Sequence, residues 1–170
     1  MSVSTIHFAP SQFVATKFST AEDKATFANK LIRFLENDCP ESQFTKKLYE
    51  RLSNCFSHIA HTSAVGFFDT WFATPVQKLD FLKHLLRGRC YGDPEWTFSD
   101  VERALQIAIS STTLLEQYQL RSSAFVDEKE LALLAVLQAR HPDARFSPRE
   151  ETAAFPLVTE VPVMQESLFG

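Results

Sequence analysis

Apolar residues recur at helical spacing through most of the chain between Ser19 and Arg140, and no alternating pattern of comparable length competes with them. In "ESQFTKKLYERLSNCFSHIAH", Phe44, Leu48, Leu52, Cys55, Phe56 and Ile59 fall at i, i+4, i+8, i+11, i+12 and i+15. That spacing predicts one long amphipathic helix with a continuous apolar stripe. "STAEDKATFANKLIRFLEND" opens with Ser19 and Glu22 as a capping box, places Phe27, Leu31, Phe34 and Leu35 on one face, and breaks between Asn37 and Pro40. "TPVQKLDFLKHLLRG" carries a second box in Thr74 and Gln77, with Pro75 at the first helical position and Gly88 as a stop. Ser99 and Glu102 are expected to cap a helix carrying Val101, Leu105, Ala108 and Ile109 and reaching toward Tyr118. Asp127 and Glu130 are expected to cap a last one, closed by His141–Pro142. "GFFDTWF" reads as a short helix or a buried connection, and only "TIHF" and "QFVATKF" carry a weak strand signal.

The expected fold is therefore all-α: a compact bundle of about five amphipathic helices with an extended Pro-rich C-terminal tail. The chain divides into an N-terminal arm (1–18), a helical domain (19–140) and a tail (141–170). Sixteen Phe supply a large apolar payload for the core, while only four Gly argue against a turn-rich β fold and a phosphate-cradling glycine loop. The tail has Pro142, Pro148, Pro156 and Pro162 and no helical period. It sets two Arg against five carboxylates, a net −3 out of the whole chain's −4. That composition reads as a semi-extended linker.

The charge balance gives no field to draw in phosphates, so direct nucleic-acid binding is not expected. The N-terminus lacks the basic-then-apolar order of a signal peptide, and no apolar run reaches the length of a membrane span. Three Cys without a CxxC pair give no disulfide framework. The expectation is a cytoplasmic protein with reduced thiols and no membrane segment.

Chemistry-bearing residues are sparse. Cys55, His58 and His61 in "CFSHIAH" are zinc-donor types. The two His sit roughly 60° apart on a helix, but Cys55 lies in the apolar stripe and His61 nearly opposite it. No second donor pair completes a tetrahedral set, so no metal or other cofactor is expected. A small Cys/His enzyme would need Cys55 or Cys90 as nucleophile beside His58, His61 or His84. Arg87 and Arg89 would favour a Cys90 thiolate, but no further motif supports catalysis and no residue is assigned to it. "RGRCYGDPEWTFSDVERAL" could be a turn into a DNA-recognition helix, but its first residues, Asp100, Val101 and Glu102, would repel phosphate.

Two stretches resemble known sequences. "HIAHTSAVGFFDTWF" is similar to an "HIAH…GF…F" stretch of uncharacterised bacterial proteins from plasmids and integrative elements; the resemblance covers about Phe56 to Phe72 and implies no activity. "QESLF" resembles the short peptide by which bacterial replication and repair proteins bind the β sliding clamp. Gln165, Ser167, Leu168 and Phe169 match that pattern, and Glu166 replaces its usual Leu. The resemblance implies a partner-binding site at those four residues, with the β sliding clamp as partner and a role in replication or repair. Adjacent Leu and Phe can be buried in an apolar cleft, and the Gln amide can fix register as donor and acceptor. The alternative expectation is a mobile-element adaptor or inhibitor that binds a host protein through the helical domain, with the tail docked on its own helices.

Overall fold

The computed structural model describes residues 6–55, 64–87, 95 and 98–142. Those residues are all-helical. The helices are α1 (Ala21–Glu36), α2 (Lys46–Cys55), α3 (Ala64–Trp71), α4 (Pro75–Arg87), α5 (Ser99–Ser110) and α6 (Leu114–Arg140). Single 3-10 turns at Pro10–Gln12 and Glu41–Gln43 precede α1 and α2. The expected tail and its motif lie outside the described residues, as does Gly88.

α1 and α4 are the two hubs. α1 packs against α2, α5 and the N-terminal turn, while α4 packs against α3, α5 and α6. The sequence explains why α1 is central: Ala25, Phe27, Ala28, Leu31, Ile32, Phe34 and Leu35 are all buried, an apolar face wide enough to meet several neighbours. An aromatic cluster fills the space between α1, α3 and α4. Phe72 packs edge-on against Phe34 at 5.1 Å and against Phe81 at 4.7 Å. Phe44 is its outer hub, with the rings of Phe34, Tyr49, Phe67, Phe68 and Phe72 all within 6.3 Å. These edge-on and tilted geometries, with one offset parallel pair in Phe44 and Phe67, suit the ring quadrupole.

The arm before α1 belongs to the body. Phe8 and Phe13 are buried, and Asn29 clips the arm to α1: its Oδ1 accepts from the Phe8 N–H at 2.9 Å, and its Nδ2 donates to the Phe8 carbonyl at 2.9 Å. The weak strand signal at "QFVATKF" does not become a strand; Phe13 is used as a single buried anchor after a 3-10 turn.

The helix boundaries follow local hydrogen bonding, and four differ from expectation. α1 is capped by Thr20, whose Oγ1 accepts from the Asp23 N–H at 3.1 Å, and not by Ser19 with Glu22. Ser19 is buried, and its carbonyl closes the preceding turn by accepting from the Thr16 N–H at 2.8 Å. Phe44 is not on the α2 stripe. Thr45 starts that helix, its Oγ1 accepting from the Leu48 N–H at 3.2 Å, and Phe44 is freed for the aromatic cluster. The continuation of this helix toward Ile59 lies outside the described residues. The Ser99–Glu102 box does not form: Phe98 holds the cap position without a side-chain bond, and Glu102 is buried. α5 ends at Ser110, not near Tyr118. Ser111 Oγ donates to the Ala108 carbonyl at 2.9 Å and Thr112 Oγ1 to the Ile109 carbonyl at 3.0 Å, drawing the backbone out of the helix. α6 then runs unbroken through Asp127 and Glu130, in a stretch without Gly or Pro. The Thr74–Gln77 box is present as expected, with Thr74 N–H to Gln77 Oε1 at 2.9 Å and Gln77 N–H to Thr74 Oγ1 at 3.3 Å.

Candidate functional site

Gln165, Ser167, Leu168 and Phe169 lie outside the described residues, as do His58, His61 and Cys90. Cys55 closes α2, and its side chain is likewise outside the description. Of the Cys/His candidates, only His84 has a described side chain. Its Nδ1 is 2.8 Å from the Asp80 carbonyl one helical turn back, and its ring sits edge-on to Trp71 at 5.1 Å. It is a packed surface histidine on α4, with no described nucleophile brought to it. Among the described residues, no group of three or more His, Cys, Asp or Glu could hold a metal ion. No described helix is long and apolar enough to cross a membrane.

The remaining thiol, Cys39, has a structural setting. α1 ends in two consecutive left-handed residues, Asp38 at φ 64° and Cys39 at φ 51°. Such a conformation persists when its surroundings hold it. Here Lys78 on α4 donates to the Asp38 carbonyl at 2.7 Å and to its Oδ2 at 2.8 Å, while Arg121 on α6 donates to Oδ1 at 2.9 Å. Beneath them the Tyr118 hydroxyl donates to the Leu35 carbonyl at 2.7 Å, which leaves its oxygen to accept from the Cys39 thiol at 3.2 Å. Burial pushes the Cys39 thiol up to about 12, and burial with the neighbouring Cys39 pushes the Tyr118 phenol upward as well. Both stay neutral near pH 7, so this node joins α1, α4 and α6 and supplies no thiolate nucleophile.

A groove between α1 and α2, lined by Lys30, Thr45, Lys47 and Arg51 among others, encloses only about 40 Å³. That is room for a water molecule and not for a metabolite.

The feature that periodicity did not reveal is the outer half of α6. Its first half is docked through Leu114, Tyr118 and Ser122. From Val126 to Arg140 every residue is exposed, including Leu131, Leu133, Leu134, Val136 and Leu137. The helix thus stands about 22 Å beyond its docked part, at 1.5 Å per residue. At its end the His141 N–H is bonded to the Leu137 carbonyl at 3.0 Å. The sequence signal for this was the run "LALLAVL", apolar on all sides where a surface helix alternates. No known family, curated protein or solved structure matches the chain.

Proposed function

We propose that this chain is a non-enzymatic bacterial interaction protein, held at the DNA polymerase sliding clamp by Gln165–Phe169 and acting in or on replication or repair. The sequence Gln-Glu-Ser-Leu-Phe carries the reading. Leu168 and Phe169 supply the apolar anchors, Gln165 fixes register, and Ser167 fits the polar position between them. The helical body supports the reading indirectly. α6 delivers the tail from an exposed end, and residues 143–164 span at most about 75 Å when fully extended, so the motif has the reach to act away from the bundle. A tether of this kind raises local concentration without requiring a DNA-binding surface, which agrees with the net charge of −4.

The test is binding of the full chain to purified bacterial β clamp, intact and as Leu168→Ala/Phe169→Ala. Full burial of Leu and Phe contributes about 1.5–3 kcal/mol each, so the double change is expected to weaken a micromolar complex at least a hundredfold. Equal binding by both forms, or binding by neither, refutes the proposal.

A further inference from the structure

We infer that the outer half of α6 is a self-association surface, on which a second copy of this chain pairs antiparallel. This surface is independent of the tail motif. Glu130, Leu133, Leu137 and Arg140 follow one another at spacings of three, four and three residues, which places them in one narrow seam. Leu134 and Val136 flank the seam on either side. All six are exposed, with Leu133 at 59%, Val136 at 48%, Leu134 at 38% and Leu137 at 36%.

The seam is self-complementary about the level of Ala135. Glu130 lies five residues before that level and Arg140 five after it; Leu133 and Leu137 lie two before and two after; Leu134 and Val136 lie one to each side. A twofold axis there sets Glu130 of each copy against Arg140 of the other and Leu133 against Leu137, with the two Leu134 side chains meeting along one flank and the two Val136 along the other. Isologous contacts require this kind of residue exchange. A parallel pair would instead oppose Glu130 to Glu130 and Arg140 to Arg140, so charge selects the antiparallel arrangement. The neighbouring Lys129 leaves the seam uncontested, since its ammonium is 5.3 Å from the Phe125 ring one turn back.

The geometry also fits the bundle. In this register the partner's helix, which ends at Arg140, reaches the level of Glu130, short of Ser122, the last α6 residue buried in the body. Each helix therefore covers the other's seam from residue 130 to 140 without meeting the core. Two such faces bury roughly 800 Å² in total, below the standard interface size and suited to a dimer with a dissociation constant on the order of tens to hundreds of micromolar.

Sedimentation equilibrium of the full 19.3 kDa chain from about 5 to 500 µM tests this. The weight-average mass is expected to rise toward that of a dimer. Arg140→Glu or Glu130→Arg alone should weaken association at least fivefold. The exchanged pair Glu130→Arg/Arg140→Glu should restore it to within about twofold, because the register keeps opposite charges facing. Leu133→Gln/Leu137→Gln should be monomeric throughout, with an unchanged far-ultraviolet circular dichroism spectrum, since both sites are solvent-facing in the monomer. A monomer at every concentration overturns the inference. So does a dimer whose strength none of these changes alters, or one that the charge exchange fails to rescue.

Discussion

Asp100→Ala is expected to destabilise the fold far more than Lys24→Met, although the two residues are partners. Lys24 lies on α1 with 2% of its side chain exposed, and its ammonium donates to both Asp100 oxygens, at 3.1 and 2.9 Å. Asp100 lies at the start of α5 and is 28% exposed. It also accepts from the Val14 N–H at 3.2 Å and the Val101 N–H at 3.0 Å. Removing Asp100 strands a buried ammonium, with the Phe98 ring at 5.8 Å as its remaining contact among the described residues. Breaking a buried pair this way costs about 3–5 kcal/mol, and the partial solvation of Asp100 places it near 3. Removing the Lys24 charge instead keeps an apolar stem of similar volume and leaves Asp100 wetted, bonded to two backbone donors and favourably placed at a helix N-terminus. That change should cost about 1 kcal/mol or less. With a urea m-value of about 1.5–2 kcal/mol/M, the midpoint should fall by about 1.5–2 M for Asp100→Ala and by about 0.5 M for Lys24→Met. The decisive sample is the double variant, which has no stranded charge and should be more stable than Asp100→Ala alone. A double variant less stable than Asp100→Ala would refute the reasoning, since Lys24 would then be held by packing and not by its partner.

Alkaline pH should destabilise the fold through the buried node. Cys39 rises from its ordinary 9.0 to about 12, so above pH 9 the unfolded chain loses a proton that the folded one keeps. Stability should then decline by roughly 1 kcal/mol per pH unit between 9 and 12, more steeply above 10 as Tyr118 joins, and Cys39→Ala/Tyr118→Phe should flatten that slope in pH-dependent urea melts. Phe44→Ala should cost about 3 kcal/mol in thermal or urea unfolding, given the five rings around it, whereas Val65→Ala, at a site 73% exposed, should stay within about 0.5 kcal/mol.

Fold class and helix order were legible because burial repeats at helical spacing, and α1 shows how far that reasoning reaches. Phe27, Leu31, Phe34 and Leu35 all turn inward as their period demands. Its cap lies one residue beyond Ser19, since Ser19 and Thr20 are equivalent capping residues and only tertiary burial of Ser19 leaves the cap to Thr20. Phe44 departs from the expected helix for a similar reason. It sits in helical register with Leu48, but Thr45 starts the helix after it and the aromatic cluster takes its ring. The Cys39–Tyr118 node was invisible because its members are 79 residues apart and belong to no motif.

The α6 boundary carries the more general lesson. A Ser-Thr-Thr break at 111–113 contains neither Gly nor Pro, while Asp127 and Glu130 look like a helix start. Local capping signals therefore favoured a division that the structure does not make. Once α6 is a single rod, its outer half has no core to face, and "LALLAVL" ceases to be a core segment. Exposed apolar surface on a protruding helix calls for a partner. Which partner is a matter of symmetry: a seam with Glu130 and Arg140 equidistant from its centre is completed by its own copy, whereas an unrelated helix would have no reason to share that spacing. The proposed tail motif rests on five residues alone, since a short peptide would carry its recognition locally. The α6 surface becomes readable only after the fold shows which stretch of helix is left exposed.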